Sequence, residues 1–273
     1  MNTESKVSER YAQGAKEVQP KLCCPVSYDR DLLSILPQEI IEKDYGCGDP
    51  SRYVNEGDTV LDLGSGGGKI CYMAAQIVGK SGHVIGVDMT DEMLALARKY
   101  QEEMAEKLGS DRISFLKGYI QDLALDLVAR ENYLLANPQT SETDMASWEA
   151  AQKQNQPLIE SGIVDIVVSN CVLNLVDEKD RQQLISELYR VLKPGGRIAI
   201  SDIVADREVP QHLKEDAELW SGCISGAYQE NEFLRVFEEA GFTEVAYDKR
   251  DEEPWQVVED IEFRSVTVTG VKA

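Results

Sequence analysis

Histidine is nearly missing from this chain: His83 and His212 are the only two in 273 residues. A reaction resting on a histidine base, or a zinc centre of clustered histidines, is short of material. Positive charge is scarce too. Lys and Arg number 28 against 49 Asp and Glu, for a formal charge of -21. Nucleic acid and anionic membrane both require clustered Lys and Arg, so the composition argues against either as a partner. No uninterrupted apolar run approaches the ~18 residues that span a bilayer. The start, MNTESKVSERYAQ, lacks the apolar stretch of a signal peptide. These absences predict a cytoplasmic protein. Its six cysteines are then expected as thiols rather than bridges. None forms a CxxC pair, which makes zinc an unnatural ligand on spacing alone.

An α/β rhythm is present. Apolar runs at 59–63, 83–87, 112–116, 163–169 and 196–203 read as strands, and the segments between most of them as helices. The 91–108 segment has the spacing of a single amphipathic helix. Residues 243–250 and 261–271 add a last pair of strands, the second alternating as an antiparallel strand does. The expected fold is α/β: a Rossmann-like, seven-stranded, mostly parallel sheet with an antiparallel last strand. Residues 1–50 are expected to form an N-terminal arm or lid on the core, and 51–273 the main domain. About forty residues at 119–160 interrupt the rhythm between strands three and four, as a helical insertion.

Val60 to Lys69 reads VLDLGSGGGK and joins a buried strand to a helix start. Glycines there let the backbone approach a ligand, and the helix start favours an anion. A nicotinamide fingerprint needs a small third residue in G-x-G-x-x-G; from Gly64 that position is Lys69, which is too large. The pattern resembles the first motif of Rossmann-like AdoMet methyltransferases. Asp88, at the end of the second strand, can accept ribose hydroxyls or cap the next helix. Gly118 to Asp122 (GYIQD) follows strand three, where that fold contacts adenine. Lys193-Pro-Gly-Gly196 resembles the fold's late motif and also stops a helix.

Three cysteines lie where ligands gather in open α/β sheets: Cys47 before the first strand, Cys171 after the fourth, Cys223 after the fifth. Three converging thiolates suit a soft trigonal-pyramidal ion such as arsenic(III). Core packing is the alternative for each cysteine, and for Cys71 the preferred one. Leu22-Cys-Cys-Pro25, Tyr45-Gly-Cys-Gly48, the 84–90 segment VIGVDMT, Ser169-Asn-Cys-Val-Leu-Asn-Leu175 and the 216–227 segment DAELWSGCISGA resemble arsenite methyltransferases over most of residues 10–245.

That resemblance implies arsenic binding and catalysis at Cys47, Cys171 and Cys223, with a redox role for Cys23 or Cys24. It implies S-adenosyl-L-methionine contacts from Asp62, Gly64, Ser65, Gly66, Asp88, Met89, Ile120, Gln121 and Asn170. Partners would be arsenite or another small thiophilic substrate, and a thiol reductant such as thioredoxin or glutathione. Two departures bear on substrate scope and the number of methyl transfers. The 119–160 insertion is longer than the family's, and many members continue into a further C-terminal domain. Two alternatives stay open: methylation of a small organic acceptor oriented by Asn170 and Asn174, and a non-catalytic arsenic-binding module.

Overall fold

The computed structural model describes residues 3–19 and 26–273. Helix α1 (Thr3–Lys16) and the short α2 (Arg30–Leu33) and α3 (Gln38–Glu42) precede β1 (Thr59–Leu63). Then come α4 (Lys69–Val78), β2 (His83–Asp88), α5 (Asp91–Lys99), α6 (Gln101–Leu108) and β3 (Ile113–Lys117). The insertion carries α7 (Leu127–Ala136) and α8 (Glu142–Asn155). After it run β4 (Val164–Asn170), α9 (Arg181–Val191) and β5 (Leu192–Ala205). The last elements are α10 (Gln211–Lys214), α11 (Ala217–Ser221), β6 (Tyr228–Gln229), α12 (Glu230–Glu239), β7 (Phe242–Arg250), β8 (Gln256–Val258) and β9 (Ile261–Lys272).

The sheet runs β3-β2-β1-β4-β5-β9-β7. These are the seven strands expected from the sequence, and β6 and β8 extend the sheet beside β5 and β9. The five strands β1 to β5 pair in parallel, and β9 lies antiparallel between β5 and β7. Helices cover both faces, so the central strands bury both. Along β1, Leu61 and Leu63 pack into one apolar cluster with α9 and α12. Val60 packs into the other with α4 and α5. That alternation is the two-residue period of a strand. Among the described residues, no helix is long and apolar enough to cross a membrane.

Two local expectations are corrected. The single helix over 91–108 is two helices, because Tyr100 (φ −106°, ψ 4°) leaves helical geometry while its hydroxyl donates to Glu39 at 2.5 Å. The fifth strand starts at Leu192, so the Lys193-Pro-Gly-Gly196 run lies within β5. It is absorbed there by a register shift against β4 between Val164 and Ile166.

Because β2 and β4 flank β1, the chain's winding reverses there. Such a reversal opens a crevice at the carboxyl ends of the strands, and the loops after β1, β2, β3 and β4 all meet in it.

Candidate functional site

That crevice is a cleft of about 990 Å³, counting its open mouth. It is lined from β1 and its loop by Asp62 and Gly64 to Gly67, from β2 by Asp88 to Thr90, from β3 by Gly118, Ile120 and Gln121, and from β4 by Asn170 to Val172. Val7 and Tyr11 of α1 and the Lys43 to Gly46 segment close one side. All nine residues that the sequence assigned to the cofactor therefore line one cleft. Trp255 and Tyr228 do not line it.

The glycine loop owes its path to backbone freedom. Gly64 has φ +64°, and a Cβ there would stand 2.5 Å from Val172. Asp88 fastens this loop to the next strand. Its Oδ2 accepts from Gly66 N at 2.9 Å and its Oδ1 from Thr90 N at 2.8 Å. Burial raises the Asp88 carboxyl above its ordinary value. Asp62 is buried below, where the Cys71 thiol donates to it at 3.2 Å. Burial pushes the Asp62 carboxyl up to about 7, so near neutrality it divides between charged and protonated forms. Cys71 is wholly buried in the core.

Asn170 behaves differently from its neighbours. Its Oδ1 accepts from the N–H groups of Cys47 and Gly48, each at 2.9 Å. Its Nδ2 donates to Gly48 O at 2.9 Å and to the Tyr28 hydroxyl at 3.2 Å. The carboxamide is thus committed to the loop that carries Cys47. Gly46 permits the approach, since a Cβ there would stand 1.9 Å from Asn170 Nδ2.

The cysteines meet behind this clamp. Cys47, Cys171 and Cys223 share one buried apolar cluster, with Tyr11 packed against it. The Cys223 thiol donates to Cys171 O at 3.3 Å. The sulfurs of Cys47 and Cys171 and a carboxylate oxygen of Asp202 all lie within 4.8 Å of one another. Cys223 does not belong to that set. Cys171 and Cys223 both hold left-handed backbone, at φ +65° and +63°. Non-glycine residues rarely adopt it, and strain of this kind gathers at functional sites. Cys23 and Cys24 lie outside the described residues.

Three features escaped the sequence. Asp202 is fully buried on β5, and burial pushes its carboxyl up to about 6. The signal was there: Ser201-Asp202 is a polar pair inside the otherwise apolar IAISDIVA run. Tyr11 came to the site on α1, and burial, then the nearby Cys223 and Cys171, raise its hydroxyl. Lys69 was read only as a bulky residue. It is buried, ion-paired to Asp44 at 2.5 Å, with its Nζ 3.3 Å above the centre of the Tyr28 ring. It thereby ties the helix after the glycine loop to the segment before β1.

A family model described as "Methyltransferase domain" matches residues 54–241. The arsenite methyltransferase of Aquipseudomonas alcaligenes is 37% identical, over 85% of this chain and 59% of its own. That of Mus musculus is 35% identical, over 79% of this chain and 49% of its own. The chain thus spans about half the length of the curated relatives it matches. An arsenic(III) S-adenosylmethionine methyltransferase from Chlamydomonas reinhardtii, known from its crystal structure, superposes with a TM-score of 0.69. It is 32% identical, and the match covers 90% of this chain and 74% of that one. On this fold, this cleft and these likenesses, the chain belongs to the methyltransferase domain family and, within it, to the arsenite methyltransferases.

Proposed function

We propose that this chain methylates arsenic(III) held by Cys47, Cys171 and Cys223, with S-adenosyl-L-methionine as the methyl donor. The cleft suits that cofactor on its own chemistry. Ser65 Oγ is buried in the glycine loop with no hydrogen-bond partner among the described residues, which suits a bound polar group there. The Asp88 carboxylate lines the same cleft, held in place by two backbone donors. When bound, the cofactor supplies a methyl group on a positively charged sulfur.

The rest falls to the chain's own residues. Cys171 lines the cofactor cleft with the Cys47 sulfur close by. This adjacency of the cofactor cleft and paired thiols is the observation that carries the reading. Soft thiolates select a soft centre such as arsenic(III). Each thiol proton leaves with an arsenic hydroxyl as water, so no side-chain base is needed, in keeping with two histidines in the whole chain. The arsenic lone pair takes the methyl, which leaves arsenic two electrons more oxidised. A thiol reductant, thioredoxin or glutathione, returns those electrons through the cysteines. The cytoplasm is the compartment that keeps such thiols reduced.

The test is incubation with S-adenosyl-L-methionine, arsenite and a dithiol, with methylated arsenic read by chromatography and mass spectrometry. Tight arsenite binding without product would make the chain a sequestering module. Neither binding nor product would turn the search to a small organic acceptor.

A further inference from the structure

We infer that Cys47, Cys171 and Asp202 form a binding site for a thiophilic divalent cation of the zinc type, using Asp202 in place of Cys223. Their ligand atoms lie within 4.8 Å of one another, and all three residues are buried. Zinc accepts both sulfur and oxygen, with bonds of about 2.3 Å to thiolate and 2.0–2.2 Å to carboxylate. Tetrahedral bonds of that length set two sulfurs about 3.8 Å apart. The set therefore closes by no more than about 1 Å, within the reach of side-chain rotation.

Three separate elements hold the ligands in position. The Cys47 backbone is fixed by Asn170 Oδ1 at 2.9 Å and by Ser265 Oγ, which donates to Cys47 O at 2.7 Å. Cys171 N donates to Ser201 O at 2.7 Å. Asp202 Oδ1 accepts from Asn174 Nδ2 and from Ile203 N, both at 2.8 Å. Carboxylate ligands of metals are oriented by such hydrogen bonds. Cys171 lines the cleft, which offers an entry and a fourth position for water.

Softness separates this occupant from arsenic. Two thiolates and a carboxylate are three buried negative charges, of which a divalent cation offsets two. Arsenic(III) prefers sulfur throughout, and a carboxylate oxygen is a poor third ligand for so soft a centre. The Cys223 thiol, turned to Cys171 O, stands outside the zinc set. Sequence spacing had argued against zinc, since it registers only neighbouring Cys and His. Here the ligands come from positions 47, 171 and 202. Sharing Cys47 and Cys171 makes the two occupants mutually exclusive, so zinc acts as a competitor of arsenite.

The experiment loads the full chain with Zn²⁺ in the absence of arsenite and S-adenosyl-L-methionine, in a Cys23→Ser, Cys24→Ser background. X-ray absorption is expected to show one zinc with two sulfur neighbours and the remainder light atoms. Competition with a chromophoric chelator is expected to show affinity falling about 10-fold or more in Asp202→Asn, and arsenite displacing the zinc. Three sulfur neighbours, no stoichiometric zinc, unchanged affinity in a folded Asp202→Asn, or zinc retained under saturating arsenite each overturns the inference. The absorption spectrum needs no change at position 202, so a misfolded variant does not spare the idea. The zinc site does not rest on the methylation reading, and the loading step contains no arsenite, so its failure leaves that reading standing.

Discussion

Asn170, at the end of β4, holds the Cys47 loop: one side-chain oxygen takes the N–H groups of both Cys47 and Gly48 at 2.9 Å. Removing that side chain orphans two backbone donors, each of which costs about 1–3 kcal/mol if it stays dry. Asn170→Ala is expected to lose about 2–4 kcal/mol of stability and to weaken arsenite binding by about 100-fold, the loop that carries Cys47 having lost its clamp. Thermal melting and arsenite titration check both. An Asn170→Ala protein with unchanged arsenite affinity would mean that the Cys47 loop needs no clamp.

Cys171 and Cys223 hold φ near +65°, where a side chain costs roughly 1–2 kcal/mol and glycine almost nothing. Glycine and alanine both delete the thiol, so their comparison isolates the strain. Cys171→Gly is expected to be more stable than Cys171→Ala by about 1 kcal/mol, while neither retains arsenite binding. If alanine matches glycine in denaturant unfolding, the left-handed backbone carries no strain and the argument for a functional distortion at Cys171 fails.

Asp88 bonds Gly66 and Thr90, far in role from the thiols. Asp88→Asn removes the charge that the ribose hydroxyls are proposed to meet. A hydrogen bond to a charged group contributes about 1.5–3 kcal/mol. The dissociation constant for S-adenosyl-L-methionine is therefore expected to rise by roughly 10- to 100-fold, by calorimetry, with arsenite affinity unchanged. An unaltered constant would remove Asp88 from the cofactor site.

The sheet and the cofactor loop were legible because each is a local pattern. Apolar strand runs, the glycine loop at 64–68 and an acid ending β2 are written within a few residues of one another. The thiol site was legible only in part. Cys47 and Cys171 could be placed at strand ends, but the partners that fix them, Ser265 and Ser201, stand far from Cys47 or in another strand, and serines carry no motif. Asp202 was missed because a carboxylate inside an apolar strand reads as a register detail until the fold puts two sulfurs beside it. Lys69 shows the same limit. Its size excluded a nicotinamide reading, while its pairing with Asp44 depended on how the chain returns before β1. Cooperation between distant side chains is set by tertiary packing, which no local period encodes.

Asp62 makes stability depend on pH in a definite direction. Burial raises its carboxyl from an ordinary 3.8 to about 7, so the folded state binds the proton more tightly than the unfolded chain does. Its contribution is complete below about pH 4 and is lost as pH rises through about 7. The loss amounts to at most about 4 kcal/mol. Asp62→Asn keeps an acceptor for the Cys71 thiol and removes the charge. Its advantage over the parent protein is therefore expected to be absent near pH 4, to grow across the interval and to level off above pH 7. Asp202, raised to about 6, gives a smaller total loss of the same sign over a narrower interval, which both proteins retain. Thermal melting of cofactor-free protein at pH 4.5, 6 and 8 measures the difference. A gap between the two proteins that stays constant across these values would show that Asp62 does not titrate in this window.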